Sequence, residues 1–260
     1  MTDAAPLLPA AVRRARILEH IEAQGFARVS ELSALFGVSE VTVRADLESL
    51  EVQRVHGGAV ATQRTSAPST ELAFEQSLLD ASDEKRRIGI AAAAMVQSGQ
   101  AIVLDVGTTT TAVALALLER TDLRDVVVIT NALNIAMLLE AAIPRFTVVV
   151  TGGTLRPLQH SLVDPLAGAV LEHIRADLAF IGCSGVDVVA GITNINLPEA
   201  DVKRRMLATA ARSVVVADSG KLGVAQLSRV APLVDIDALV TVAEADTAAL
   251  RAAGLDVILA

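Results

Sequence analysis

The 260-residue chain is short of the groups on which several kinds of chemistry depend. A single cysteine, Cys183, forbids an internal disulfide and any all-cysteine zinc site, and the four histidines stand at no ligand spacing from it. No metal and no redox function is therefore expected. Tryptophan and tyrosine are absent and aromatics make up 2% of the residues, which leaves no platform on which single strands or splayed RNA bases can stack. Hydrophobic residues reach 52%, yet runs such as 91–96 and 126–129 fall far short of the roughly 20 residues of a membrane span. The N-terminal stretch has no secretory pattern, so a cytoplasmic protein with no membrane partner is expected.

Lysine is scarce: Lys85, Lys203 and Lys221 stand against nineteen arginines. Net charge is −8, and to Ser66 seven arginines face eight acidic residues, which assigns −7 of the total to the rest. That balance excludes a generally basic nucleic-acid coat and leaves a locally cationic surface open.

Over residues 10–22, apolar Val12, Ile17, Leu18 and Ile21 recur at helical spacing with arginines on other faces, and Gly25 follows as a stop. Ser30 is placed to cap a second helix over 31–36, and Ser39 a third from 40 to about 50. The short connection between them is that of a helix-turn-helix. Gly57 and Gly58 then punctuate a wing, and the polar stretch 62–70 reads as an exposed linker. Beyond it, strand-like runs near 101–104, 126–130, 146–151, 178–182, 214–217, 239–242 and 257–259 alternate with helix-length segments. Such alternation specifies a mainly parallel sheet covered on both faces. The expected architecture is a small all-α, winged helix-turn-helix domain over 1–61, a linker over 62–70 and an α/β domain over 71–260.

Two segments carry chemistry. In GVSEVTVRADLESLE, followed by RVHGGAV, the residues Ser39, Thr42, Val43 and Arg44 lie at a helix N-terminus. From there hydroxyls and a guanidinium reach the major groove, where bidentate arginine to guanine is the commonest specific contact. Arg54, His56, Gly57 and Gly58 would let a wing approach phosphate. The same spacing also serves small three-helix protein-interaction domains. The second segment, Asp105-Val106-Gly107-Thr108-Thr109-Thr110-Thr111, lies between a buried run and the helical AVALALLE. Backbone amides and threonine hydroxyls at a helix N-terminus make an anion cradle, and a carboxylate at the strand end can accept hydroxyls of a sugar or polyol. A threonine-rich cap with an aspartate satisfying loop amides is the alternative.

The first segment resembles the N-terminal helix-turn-helix of the DeoR family of bacterial transcription regulators. The region from Asp83 onward resembles that family's sensor domain, whose fold is similar to ribose-5-phosphate isomerase. The resemblance implies a repressor of sugar-catabolism genes, a homo-oligomer (dimer or tetramer) on a double-stranded DNA operator. A phosphorylated sugar would control it, with no cofactor and no catalysis. It also carries an effector site onto Asp105, Gly107, Thr108, Thr109, Thr110, Asn131, Gly152, Gly153, Arg156, Glu199, Lys203, Asp218 and Lys221, with Lys85 added by likeness to the isomerases. Taken singly, Glu199 and Lys203 also fit a solvated i,i+4 pair, Lys85 a charged helix face, and Gly152-Gly153 a turn.

The competing function is a phosphosugar isomerase using Asp105, Asp187, Glu199 or Lys221; it leaves the helix-turn-helix unexplained. Three departures from the family matter. Ala45 replaces a basic residue, and only Val52 and Gln53 separate Glu51 from Arg54, which predicts a missing or poorly formed wing strand and weak operator binding. Asp164, Gly220 and Leu222 also depart from the family, predicting a retuned pocket. Cys183 reads as a buried apolar residue with no base or cation beside it.

Overall fold

The computed structural model describes residues 13, 14, 16, 17, 20, 26–48, 50, 53–55, 58–60 and 71–260, with backbone alone for 26, 48, 53–55 and 58–60. The chain forms two compact units, Met1–Ala67 and Pro68–Ala260. The expected linker at 62–70 lies outside the described residues.

In the first unit, residues 13, 14, 16, 17 and 20 are helical, and the remainder of the expected first helix lies outside the described residues. The elements that follow are β1 (Phe26–Arg28), α1 (Val29–Phe36), α2 (Glu40–Glu48), β2 (Gln53–Val55) and β3 (Gly58–Val60). Ile17, Ala27, Val29, Leu32, Val43 and Leu47 form one small core. Arg13 locks the first helical stretch to α2 through Asp46, with Nε to Oδ2 at 2.6 Å and Nη2 to Oδ1 at 3.3 Å. Helix α1 starts earlier than the sequence suggests. Arg28 occupies its N-cap and donates its N–H to the Glu31 carboxylate at 3.1 Å, so Ser30 is not the cap. Ser39 does cap α2, its Oγ accepting the Thr42 N–H at 3.2 Å. The wing corrects another expectation: β3 pairs antiparallel with β2 and with β1. Shortening did not remove the hairpin: the residues lost fall ahead of Arg54, between α2 and the wing, and Gln53–Val55 still pairs with Gly58–Val60.

The second unit is a seven-stranded, wholly parallel sheet in the order β15-β14-β12-β9-β4-β5-β6. Its strands are β4 (Ala101–Leu104), β5 (Val126–Thr130), β6 (Phe146–Val150), β9 (Ala176–Gly182), β12 (Ala210–Val216), β14 (Ala238–Thr241) and β15 (Val257–Leu259). Each of the seven apolar runs has become one strand. Two small antiparallel additions had no such signal: β7 (Thr154–Arg156) with β8 (Ser161–Val163), and β10 (Gly185–Asp187) with β11 (Gly191–Asn194) and β13 (Ser228–Ala231).

The helices are α3 (Phe74–Leu79), α4 (Ser82–Ala93), α5 (Thr108–Glu119), α6 (Leu133–Leu139), α7 (Leu166–Leu171), α8 (Leu197–Thr209) and α9 (Ala248–Ala252). Alternation along each strand divides its side chains between two cores. Ile102, Leu104 and Phe180 meet Ile88, Val113, Leu117 and Ile135 on one face. Val103, Ala179 and Ile181 meet Leu171, Val202 and Met206 on the other. Each large side chain so buried contributes about 1.5–3 kcal/mol, which is why neither helical layer is dispensable. The chain runs outward from β4 to β5 and β6, then crosses back to place β9 on the other side of β4. The carboxyl ends of β4 and β9 therefore flank a topological switch point, the place where open α/β sheets hold ligands. Among the described residues no helix is long and apolar enough to cross a membrane.

Candidate functional site

At the end of β4 the chain turns through Gly107, whose φ of 138° and ψ of 166° are a conformation that side-chain-bearing residues rarely adopt. Gly107 is the N-cap of α5 and supplies no capping side chain. Its carbonyl is satisfied three times, by the Thr111 N–H at 2.9 Å, Thr110 Oγ1 at 2.9 Å and Thr111 Oγ1 at 2.7 Å. No described protein group accepts from the amides of Gly107, Thr108, Thr109 and Thr110. Four donors at the positive end of a helix dipole, on a backbone that a glycine leaves open, are suited to an anion.

Beside them lies a buried ion pair. Asp105 is fully buried and its Oδ2 accepts from Lys203 Nζ, which α8 delivers across the switch point, and from the Gly182 N–H at 3.0 Å. Lys203 also donates to the Gly182 carbonyl at 3.1 Å. Burial pushes the Asp105 carboxyl up to about 6, against the pull of Lys203. Burial alone would lower the lysine, but Asp105 and Glu199 outweigh it and hold Lys203 above its ordinary value, so it remains a cation. The other Asp105 oxygen, Oδ1, is buried without a hydrogen-bond partner among the described residues. Glu199 and Lys203 are thus not the solvated helical pair their spacing allows: both are buried, and each reaches a different element. Glu199 accepts from Arg156 Nη1 and Ser161 Oγ, both at 2.6 Å.

Asn131 is buried and braces the cradle, its Oδ1 accepting the Val106 N–H at 3.0 Å and its Nδ2 donating to the Leu162 carbonyl at 3.2 Å. Its amide is spent on the scaffold. Gly152 and Gly153 form a turn between β6 and β7, and a Cβ on Gly153 would lie 2.3 Å from the Val163 carbonyl oxygen. They shape the β7–β8 hairpin and present no side chain. Lys85 is buried, not part of an exposed charged face, and donates to the carbonyls of Ser77 at 2.5 Å and Asp80 at 2.6 Å. Burial lowers its pKa, with nearby Asp218 opposing. Asp218 is buried at the head of the turn Ser219–Lys221, which Glu84 ties to α4 by accepting the Ser219 N–H at 2.8 Å. Lys221 makes no side-chain hydrogen bond or ion pair among the described residues.

Cys183 corrects the sequence reading in its surroundings. It is half-buried, and its thiol feels Lys203, Lys221 and Asp218. Burial outweighs both cations and pushes the thiol up to about 12, so it stays protonated. No local signal marks Ser161 or Glu71, which join the cluster through Glu199 and Arg156 from distant positions.

In the first unit Val43 is fully buried and belongs to the core, so it does not face DNA. Its neighbour Val41, 72% exposed, takes its place on the open face of α2 and is suited to a thymine methyl. Arg44 is exposed and bonded to Glu40 Oε2 at 2.8 Å, and Ser39 Oγ lies 2.9 Å from Thr42 Oγ1. Arg54 and Gly58 lie in the wing strands, while His56 and Gly57 lie outside the described residues.

Comparison with known proteins matches residues 13–65 to the DeoR-like helix-turn-helix domain and residues 80–242 to the DeoR C terminal sensor domain. The HTH-type transcriptional regulator YulB of Bacillus subtilis strain 168 is 35% identical over 93% of this chain and 92% of its own. The HTH-type transcriptional repressor CsqR of Escherichia coli K12 is 33% identical over 88% and 86%. The glycerol-3-phosphate regulon repressor of the same strain is 29% identical over 86% and 88%. Among solved structures, a ribose 5-phosphate isomerase from Plasmodium falciparum aligns over 53% of this chain and 52% of its own, with 19% identity and a TM-score of 0.39. A winged helix-turn-helix unit and a parallel α/β unit, both matched over most of their length to one set of regulators, establish that the chain belongs to the DeoR family of transcriptional regulators.

Proposed function

We propose that the protein represses sugar-catabolism genes by binding a double-stranded operator, and that a phosphorylated sugar or polyol at the β4–β9 switch point controls that binding. The observation that carries the reading is the junction of two unmet needs. Among the described residues the amides of residues 107–110 have no acceptor, and the adjacent Asp105 Oδ1 is buried with no donor. A buried unsatisfied acceptor costs about 1–3 kcal/mol, which a ligand hydroxyl recovers. Phosphate on the amides and a hydroxyl on Asp105 describe a phosphorylated polyol, and the relative named for a glycerol-3-phosphate regulon points to the same class. No cofactor enters this reading. Operator selectivity calls for more than one recognition helix, so the acting form is a symmetric dimer or tetramer.

Two of the groups an isomerase would need, Asp187 and Glu199, are otherwise engaged. Asp187 Oδ1 accepts the N–H groups of Val189 at 2.8 Å and Ala190 at 2.7 Å, and these bonds hold its pKa below the usual carboxylate range, where it is a poor base. Glu199 is bound by Arg156 and Ser161. Calorimetric titration of the full-length chain with phosphorylated sugars and their free counterparts tests the proposal. Phosphorylated forms are expected to bind far more tightly; equal affinities would remove phosphate from the cradle.

A further inference from the structure

Two cations of the site are spent on one short stretch of chain. Lys85 donates to Ser77 and Asp80, and Arg156 holds Glu71 through Nη1 at 3.2 Å and Nη2 at 2.8 Å. The β7–β8 hairpin that carries Arg156 grips the same stretch at three more places. Gln159 Nε2 donates to the Leu72 carbonyl at 2.6 Å, and the Phe74 N–H donates to the Leu158 carbonyl at 2.9 Å. His160 meets the Phe74 ring edge-on at 5.4 Å, with its Nε2 2.9 Å from Glu75 Oε1. The hairpin itself hangs on the site, because the Leu162 N–H donates to the Asn131 carbonyl at 2.7 Å. Helix α3, within the gripped stretch, packs against α5, whose N-terminus is the cradle. Residues 71–80 also continue directly from the chain that leaves the helix-turn-helix unit.

We propose that residues 71–80 are the read-out of the effector site: an anion bound there competes with Glu71 for Arg156 and loosens this stretch. The inference rests on the effector-site reading above. Of the two carboxylates on Arg156, Glu71 is the one to yield. Glu199 is buried and also held by Ser161, whereas Glu71 lies in non-helical chain before α3 with no other side-chain partner among the described residues. A phosphate oxygen can replace a carboxylate on the guanidinium fork without leaving that cation unpaired. Coupling follows because the gripped and loosened arrangements then bind the anion unequally.

Amide hydrogen exchange on the full-length chain, with inorganic phosphate as the probe, reads the device directly. Saturating phosphate is expected to speed exchange across residues 72–80, the Phe74 amide included, by about fivefold or more, with β4 unchanged. Glu71→Gln should speed the same amides without phosphate and tighten phosphate binding by about fivefold or more, since the competitor is gone. If calorimetry shows phosphate binding to the native chain while exchange at 72–80 stays unchanged, the read-out is overturned and the anion site stands. Native phosphate affinity in Glu71→Gln has the same consequence. Absence of phosphate binding by the native chain overturns both.

Discussion

Asp105 is held between two opposed effects, burial that disfavours its charge and a buried lysine that requires it. Asp105→Asn would leave Lys203 as an uncompensated buried cation, an expected loss of about 3–5 kcal/mol. Asp105→Asn combined with Lys203→Met should recover much of that loss, and urea midpoints of the three proteins check it. A double variant no more stable than the single one would mean that the pairing is not what the site depends on. The pH dependence has a definite sign. Because the folded carboxyl is raised from 3.8 to about 6, its ionisation opposes folding: the stability contributed by this group falls as pH rises between those values and is level above them. Lys203, raised above 10.5, adds stability that is lost only as pH climbs through its folded value. Subtracting the stability profile of Asp105→Asn from that of the native chain between pH 4 and 7 isolates the carboxyl's part.

How much of this was legible depends on the range over which each signal acts. Resemblance marked both Asp105 and Lys203, but nothing local paired them. The i,i+4 spacing pointed Lys203 at Glu199 on its own helix, whereas the crossover that sets β9 beside β4 directs it to Asp105.

Elements follow the same division. Strand-length apolar runs are a strong signal because parallel strands are buried on both faces, and all seven strands of the main sheet were visible in them. Strands β7, β8, β10 and β11 are three or four residues long and carry Arg156, Ser161, Asp187 and Thr193 among few apolar positions. No periodicity can mark them, yet one of these hairpins grips residues 71–75. Within α2, helical phase separates buried Val43 from exposed Val41, one turn-fraction that a motif match does not resolve. Two predictions belong at this scale. Lys221 stands at the end of its turn without a side-chain partner among the described residues, so Lys221→Ala is expected to weaken binding of a phosphorylated ligand by about tenfold or more while leaving the melting temperature nearly unchanged. Unaltered affinity would remove Lys221 from the ligand's surroundings. On α2, Arg44→Ala should lower specific operator affinity by about 5- to 150-fold, the worth of a bidentate base contact, as read by fluorescence anisotropy. Glu40 must release Arg44 for that contact, so Glu40→Ala should strengthen operator binding modestly; a loss instead would show that Glu40 positions Arg44 on the base.

For the whole molecule, charge sets the conditions under which these contacts act. Most of the net −8 belongs to the chain beyond Ser66 and repels DNA at long range. At physiological ionic strength that repulsion is screened beyond about 8 Å, which leaves operator binding to local contacts of the helix-turn-helix unit. A formed wing hairpin supplies a backbone for phosphate contacts that the shortened sequence was expected to forfeit. Affinity for the operator is therefore expected to fall linearly on a log–log plot against salt, with a slope of about −0.9 for each phosphate contacted. Arg44→Ala should lower the whole line without changing its slope if Arg44 reads a base; a slope shallower by about one would reassign it to a phosphate. Titrating a phosphorylated ligand into the protein with and without operator completes the test. Linkage requires the factor by which ligand weakens operator binding to equal the factor by which operator weakens ligand binding. Two equal factors greater than one establish a repressor released by its effector, two equal factors below one make the effector a co-repressor, and factors of one mean that ligand and DNA are bound independently.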